Sequence, residues 1–319
     1  MHKFTSIILL VITTLFTGCE QQIEQTLKVG ISPWPGYEPL ALASEKNFYQ
    51  NTQVRIIRFG TPTESYRALR DGIIDVAAFT ADEVIHYAES RHKPRIFLVL
   101  DISNGADAIV ANKDIKTLDD LKGKRLGVEG SALGDYVMHR AMDFTKNLKT
   151  TDMTLKNVEI SQQEQAFING EIDAAITYEP SKSLLINAGA HVVFDSSQIP
   201  YEIVDVLVTN DKTIQTKAQR LKNLAEGWYK AQDFINGHYK ESMNLMSKNE
   251  STTIEEFQKG YEDLILPNKA DNLDMLGKDG SLVKPLQRLS KLMYSKGSLS
   301  KEIDVKPLLD RRIIESLKD

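Results

Sequence analysis

The 319-residue sequence has a single cysteine, at position 19. That excludes internal disulfides and any cysteine-based zinc site. It has no excess of positive charge: 39 Lys+Arg stand against 44 Asp+Glu, a net of −5, with the signs interspersed. Without a basic stripe to neutralise phosphates, the chain is not a nucleic-acid binder. A G-x-S-x-G elbow, an H-E-x-x-H pair, a P-loop and a G-x-G-x-x-G turn are all missing. The histidines (His2, His86, His92, His139, His191 and His238) show no ligand spacing, so neither a metal nor a cofactor is expected. Beyond Cys19 no apolar run reaches the ~20 residues that cross a bilayer.

What is present is ordinary for a soluble globular protein: 41% hydrophobic, 26% charged and 8% aromatic residues. The length suggests about two domains of ~100–200 residues each. Met1-His2-Lys3, followed by an uncharged stretch from Phe4 to Phe16, has the form of a signal peptide over residues 1–18. Its end, Leu15-Phe16-Thr17-Gly18-Cys19, resembles a bacterial lipobox. The resemblance implies that Cys19 is the lipid-modified first residue of an exported, membrane-anchored protein, with residues 19–26 as its tether. The competing reading is an ordinary signal peptide beside a coincidental cysteine. More than one acyl chain, at ~0.8 kcal/mol per buried CH₂, holds a protein stably at a membrane. Loss of Lys3 with the leader takes the net charge from −5 to −6.

From Leu27 onward, short β-rich runs alternate with helical patterns, the mark of α/β architecture with largely parallel strands. The chain echoes itself. Leu27-Lys28-Val29-Gly30-Ile31 has a counterpart in Arg125-Leu126-Gly127-Val128, and Gly72-Ile73-Ile74-Asp75-Val76-Ala77 in Gly170-Glu171-Ile172-Asp173-Ala174-Ala175. The offsets are 97 residues (Gly30 to Gly127) and 98 (Gly72 to Gly170). Thr63 and Ser161 are placed to cap the helices that follow them, and Gly72 and Gly170 to end those helices in a left-handed residue. Two matches in order at nearly one offset predict two similar, doubly wound lobes. Leu100–Val110 and Tyr201–Thr209 read as crossovers between them. Residues 27–106 and 204–319 would form one lobe with C-terminal helices, and 107–203 the other. Helices are expected around Leu221–Ala231, Thr253–Leu264 and Leu282–Tyr294, and a loop from Pro267 to Gly280.

In open α/β sheets, ligands bind beyond the carboxyl ends of the strands. The loops there hold Ser32–Glu38, Gly60–Thr63, Thr80–Asp82, Glu129–Ala132, Ser161–Gln163 and Thr177–Pro180. Backbone N–H groups at helix starts such as Thr63 and Ser131 can receive an anionic group. Asp82, Asp107 and Glu179 can pair with a cationic one, and Trp34, Tyr37 and Tyr178 can form apolar or cation–π walls. Each has a plainer role as well. Thr63, Ser131 and Ser161 cap helices, Trp34 and Tyr37 can cover a sheet edge, and Asp107 and Glu179 can be solvated or stabilise a hinge.

Trp34-Pro35-Gly36-Tyr37-Glu38-Pro39-Leu40, taken with Ser103-Asn104-Gly105-Ala106-Asp107-Ala108, resembles the nitrate/sulfonate/taurine-type substrate-binding proteins of ABC importers. The likeness runs on through Gly127-Val128-Glu129-Gly130-Ser131 and Gly170–Ala175, over about residues 27–210. It implies a type II periplasmic-binding-protein fold whose two α/β lobes close on a small solute. The partners implied are that solute and a membrane permease, and a monomer is expected. By this likeness Trp34, Tyr37, Thr61, Asp82, Asp107, Ser131 and Glu179 line the cleft; Thr63, Asn104 and Tyr178 complete the candidate set. No Arg or Lys stands in these loops to grip a bare oxyanion. The expectation is therefore a small sulfonate-, amine- or pyrimidine-like solute bound without turnover. The thiamine-pyrimidine synthases resemble these proteins but need a Cys-rich metal motif, which one cysteine cannot supply. A lipoprotein sensor ectodomain is the other alternative.

Overall fold

The computed structural model describes residues 26–50, 52–90 and 92–317. The expected signal peptide and Cys19 lie outside them. The described residues form two sheets flanked by helices. The first contains β1 (Leu27–Ile31), β2 (Val54–Arg58), β3 (Val76–Thr80), β4 (Pro94–Ser103), β10 (Val204–Asn210) and the short β11 (Leu264–Ile265), in the order β11-β4-β10-β3-β1-β2. The second contains β5 (Asp107–Ala111), β6 (Arg125–Val128), β7 (Thr154–Asn157), β8 (Ala174–Tyr178) and β9 (His191–Asp195), in the order β7-β6-β8-β5-β9. Each sheet has three parallel strands, β2-β1-β3 or β7-β6-β8, followed by an antiparallel strand that arrives from the other half of the chain, β10 or β5.

The repeat seen in the sequence has a structural cause at each position. A Cβ on Gly30 would stand 2.6 Å from Ile74 Cδ1, and one on Gly127 would stand 2.8 Å from Ile172 Cδ1. In both sheets the first strand is thus pressed against an isoleucine that enters the third. The aspartate after that isoleucine closes the unit: Asp75 Oδ2 accepts from Lys28 N at 3.0 Å, and Asp173 Oδ2 from Arg125 N at 2.9 Å. Gly72 and Gly170 have φ of +71° and +67°, so the chain turns there from helix to strand in a conformation glycine adopts without cost. The runs Val76–Phe79 and Ala174–Thr177 are buried throughout, as parallel strands covered on both faces should be.

The flanking helices are α1 (Glu38–Glu45), α2 (Pro62–Arg70), α3 (Ala81–Glu89), α4 (Ala132–Met142), α5 (Ile160–Ile168) and α6 (Ser181–Asn187). The C-terminal part adds α7 (Asp211–Gly237), α8 (Tyr239–Asn249), α9 (Ile254–Glu262), α10 (Lys269–Met275), α11 (Val283–Ser295) and α12 (Arg312–Glu315). Two of the expected caps fall elsewhere. Thr61, not Thr63, caps α2 by accepting from Glu64 N at 3.3 Å, because Pro62 fills the first helical position where a missing N–H costs nothing. Glu159 precedes α5, and Ser161 lies within its first turn. The loop expected over Pro267–Gly280 contains α10. Asn268 caps it with Asp271 in reciprocal contact, and Asn272 uses its amide to bond the backbone of Val99 on β4. A cap hidden among turn-forming residues reads from sequence as a loop.

The chain passes between the sheets twice, after β4 and before β10. The passages are tied together: the hydroxyls of Ser103 and Ser196 are 2.7 Å apart, Gly105 N donates to Ser196 Oγ at 2.7 Å, and Ser103 N donates to Ile203 O at 3.0 Å.

Candidate ligand-binding site

The strand ends of the first sheet bring three side-chain groups into one row. Asp205 on β10 lies in register with Asp101 on β4 and, on its other side, with Thr80 on β3. Both carboxyls are buried, at 0% exposed for Asp101 and 1% for Asp205. Burial raises Asp101 to about 7, and burial with the charge of Asp101 holds Asp205 well above the usual carboxylate range. The Trp34-Pro35-Gly36-Tyr37 turn sits on this row. Trp34 Nε1 lies 3.3 Å from each Asp101 oxygen, and the Tyr37 hydroxyl donates to Asp205. Gly36 makes the close approach possible, since a Cβ there would stand 1.9 Å from Asp101 Oδ2. From behind, Glu250 Oε1 accepts from Trp34 N at 2.9 Å.

The second sheet supplies the facing wall. Asp107 opens β5 in register with Tyr178 on β8, and its amide donates to Ser103 Oγ at 3.1 Å. Asp107 is 3% exposed and its Oδ2 has no hydrogen-bond partner among the described residues. Burial raises its carboxyl to about 7; the Ser103 bond opposes the shift, Asp82 and Glu179 add to it, and Lys182 opposes it. Across from it the rings of Trp34 and Tyr178 meet edge to face, with centroids 6.2 Å apart and planes at 70°. The two halves therefore touch through the two aromatic residues beside a buried carboxyl.

Asp82 lies in the first turn of α3 and is buried, which raises its carboxyl. Next to it Glu83 accepts from Thr80 N at 3.0 Å, and burial together with Asp82 raises it to about 8. Glu179 is committed within its own segment. Its oxygens accept from Ser183 N and Ser183 Oγ, both at 3.1 Å, and Lys182 Nζ is 3.4 Å away. Lys182 also bonds Asp263, which follows α9. Ser131 caps α4, accepting from Gly134 N at 3.1 Å. Thr61, Thr63 and Asn104 are exposed, outside the buried group; Asn104 N donates to Asp263 O at 2.8 Å.

Of the candidates, then, Trp34, Tyr37, Asp82, Asp107, Tyr178 and Glu179 gather between the sheets. Sequence reasoning passed over Asp101, Asp205, Glu83 and Lys182. For the first two a signal existed: a lone aspartate inside each of the buried runs Ile96–Ile102 and Val204–Val208. A charge in a strand buried on both faces needs a partner or a proton. No group of three or more His, Cys, Asp or Glu among the described residues is placed to hold a metal ion.

The family model described as "NMT1/THI5 like" matches residues 34–242, from the Trp34 turn into α8. This chain belongs to the NMT1/THI5-like family. Within its wider kinship, the putative aliphatic sulfonates-binding protein of Bacillus subtilis is 22% identical over 328 residues, covering 97% of this chain and 95% of that protein. The taurine-binding periplasmic protein of Escherichia coli is 22% identical over 178 residues, 55% of each chain. Among solved structures, the periplasmic aliphatic sulphonate binding protein SsuA of Escherichia coli superposes with a TM-score of 0.76 at 16% identity, over 92% of this chain and 99% of that one. This NMT1/THI5-like chain has the two-lobed periplasmic-binding-protein fold. The same fold carries catalysis elsewhere: the desulfurization enzyme DSZB superposes with a TM-score of 0.68 at 16% identity, over 91% of this chain and 98% of that one.

Proposed function

We propose that this protein is the extracytoplasmic solute-binding lipoprotein of an ABC importer. It captures a small sulfonate-, amine- or pyrimidine-like solute between its lobes and delivers it to a membrane permease. The observation that carries this reading is the meeting of Trp34 and Tyr178 across the lobes beside the buried carboxyl of Asp107. Aromatic walls with a few convergent polar groups at the interface of two domains are the usual make-up of a small-molecule site. The relatives support the same class, since the Bacillus subtilis and Escherichia coli proteins are named for sulfonate and taurine binding.

In this reading residues 27–106 with 204–319 form one lobe and 107–203 the other. Closure turns about the paired passages at Ser103–Asp107 and Ser196–Val204, a hinge of a few segment-end residues. Export and lipid attachment at Cys19 place the protein on the outer side of the membrane. No helix of the described residues is long and apolar enough to cross one. A thermal-shift screen of the purified protein against small sulfonates, amines, pyrimidines, nitrate and amino acids tests the reading. A ligand specific to the folded state raises stability by about 2.7 kcal/mol at a hundredfold excess over Kd. A clear shift with one class supports it; a flat response to every class counts against it.

A further inference from the structure

The charges around Asp107 decide which end of a small solute this cleft is built to hold. Asp107 stands among acids from both lobes. It is repelled by Asp82 and Glu179, and its own charge acts on Asp101 and Asp205 in the first sheet. At the neighbouring Tyr178 hydroxyl the charges of Glu129, Asp107, Glu83 and Glu159 are felt together, all of them acidic. The cation that acts on Asp107 is Lys182, which is already paired with Glu179 and bonded to Asp263.

Helix N-termini are the other usual anchor for an anion, because their first N–H groups lack partners within the helix. At α3 and α6, the two helix starts nearest Asp107, the chain's own carboxylates take them. Glu83 and Asp82 bond the backbone at the start of α3, and Glu179 takes Ser183 N at the start of α6. An entering sulfonate beside Asp107 would therefore meet acids, and at α3 and α6 helix starts already in use. A protonated nitrogen would instead meet Asp107 Oδ2, a buried acceptor with no hydrogen-bond partner among the described residues.

We propose that the solute is a small organic cation without an acid group. Its protonated nitrogen donates to Asp107 Oδ2 and its body lies against Trp34 and Tyr178, whose ring faces attract positive charge. This deepens the proposed function and rests on it, and it parts from the sulfonates for which the relatives are named.

The test is calorimetric titration of the purified protein with ethanolamine, 2-phenylethylamine, taurine and ethanesulfonate. At least one amine should bind, taurine at least tenfold more weakly, and ethanesulfonate not at all. Asp107→Asn should lose tenfold or more in amine affinity, since it removes one charge-assisted bond while keeping the shape. Tyr178→Leu gives the same reading if the first variant does not fold, with a several-fold loss expected from the missing wall. Taurine or ethanesulfonate binding as tightly as the amines would overturn the cation assignment and leave solute binding standing. Binding of none of the probes also overturns it. If a broad panel of neutral and anionic solutes is silent too, the solute-binding reading falls with it.

Discussion

At the scale of single residues, the cleft is shaped by contacts too close to admit a methyl group. Gly36 lies over Asp101, and a Cβ placed there would overlap Oδ2 at 1.9 Å. Gly36→Ala must push the Trp34 turn off the aspartate row, at about 3 kcal/mol of stability. In an Asp101→Ala background the same change should cost clearly less, because the clashing group is gone. Urea unfolding of the two single variants and the double checks this, and additive costs would show that the turn is held some other way. The carboxyls set the response to pH. Asp101 and Asp107 are raised to about 7, and Glu83 and Glu250 to about 8. The folded protein thus keeps protons that the unfolded chain, with carboxyls near ~4, gives up. Their stabilisation is full below pH ~4 and is lost as the pH rises through 7 to 8, so the melting temperature of the ligand-free protein should fall between pH 5 and 8. Thermal melts across that window test it. Asp107 faces Asp82 from α3, Asp101 from β4, Asp205 from β10, and Glu179 and Lys182 from the start of α6. A bound cation favours the ionised form of Asp107, so amine affinity should rise with pH from 6 to 8, the opposite trend from stability.

At the scale of elements, the repeat was legible because it is written in residues with narrow physical duties. Gly30 and Gly127 exist where an isoleucine presses on the first strand, Gly72 and Gly170 where a helix turns into a strand, and Asp75 and Asp173 where an amide near a strand's start needs an acceptor. Those demands are local and leave a pattern at fixed spacing. Helix α10 was not legible, because what makes it a helix is Asn272 reaching back to Val99 across 173 residues of chain. Asp101 and Asp205 escaped for a similar reason: each looks like an isolated polar residue until the β4–β10 register sets them side by side. The long α7 makes one further demand that its sequence does not announce. Gly227 packs on Tyr49, and a Cβ there would come within 2.4 Å of the ring. Replacing a helical glycine by alanine ordinarily gains ~1 kcal/mol. Gly227→Ala should instead destabilise the protein by about 1–3 kcal/mol through overpacking, and chemical denaturation showing a gain would mean that Tyr49 moves aside freely.

For the whole molecule, the question is what holds two separately folded sheets together when their direct link is two strands of backbone. Glu202, on the second passage, draws both sides to itself. Tyr136 donates to it from α4, Arg140 Nε bonds it at 2.6 Å from the same helix, and Arg288 Nη1 bonds it at 2.6 Å from α11. Burial works against its charge, yet the Arg140 and Tyr136 bonds hold the carboxyl below the usual range. Helix α11 also packs on both α3 and α4, so the C-terminal part braces the two lobes rather than hanging from one. Lys182 on α6 and Asp263 after α9 make a second tie between the halves. A cleft closed by such ties opens only when they break, and a solute must then stabilise the closed form more than the ties alone do. Glu202→Gln keeps the shape but removes the charge that both arginines share, weakening the closed form by about 1.5–3 kcal/mol. The variant should be more extended in solution without ligand, regain compactness when a binding amine is added, and bind that amine more weakly because part of the binding energy now goes into closing the lobes. Small-angle scattering with and without ligand decides the matter. A variant as compact as the parent protein, with unchanged affinity, would show that the hinge serines and the Lys182–Asp263 tie set the closed form without Glu202.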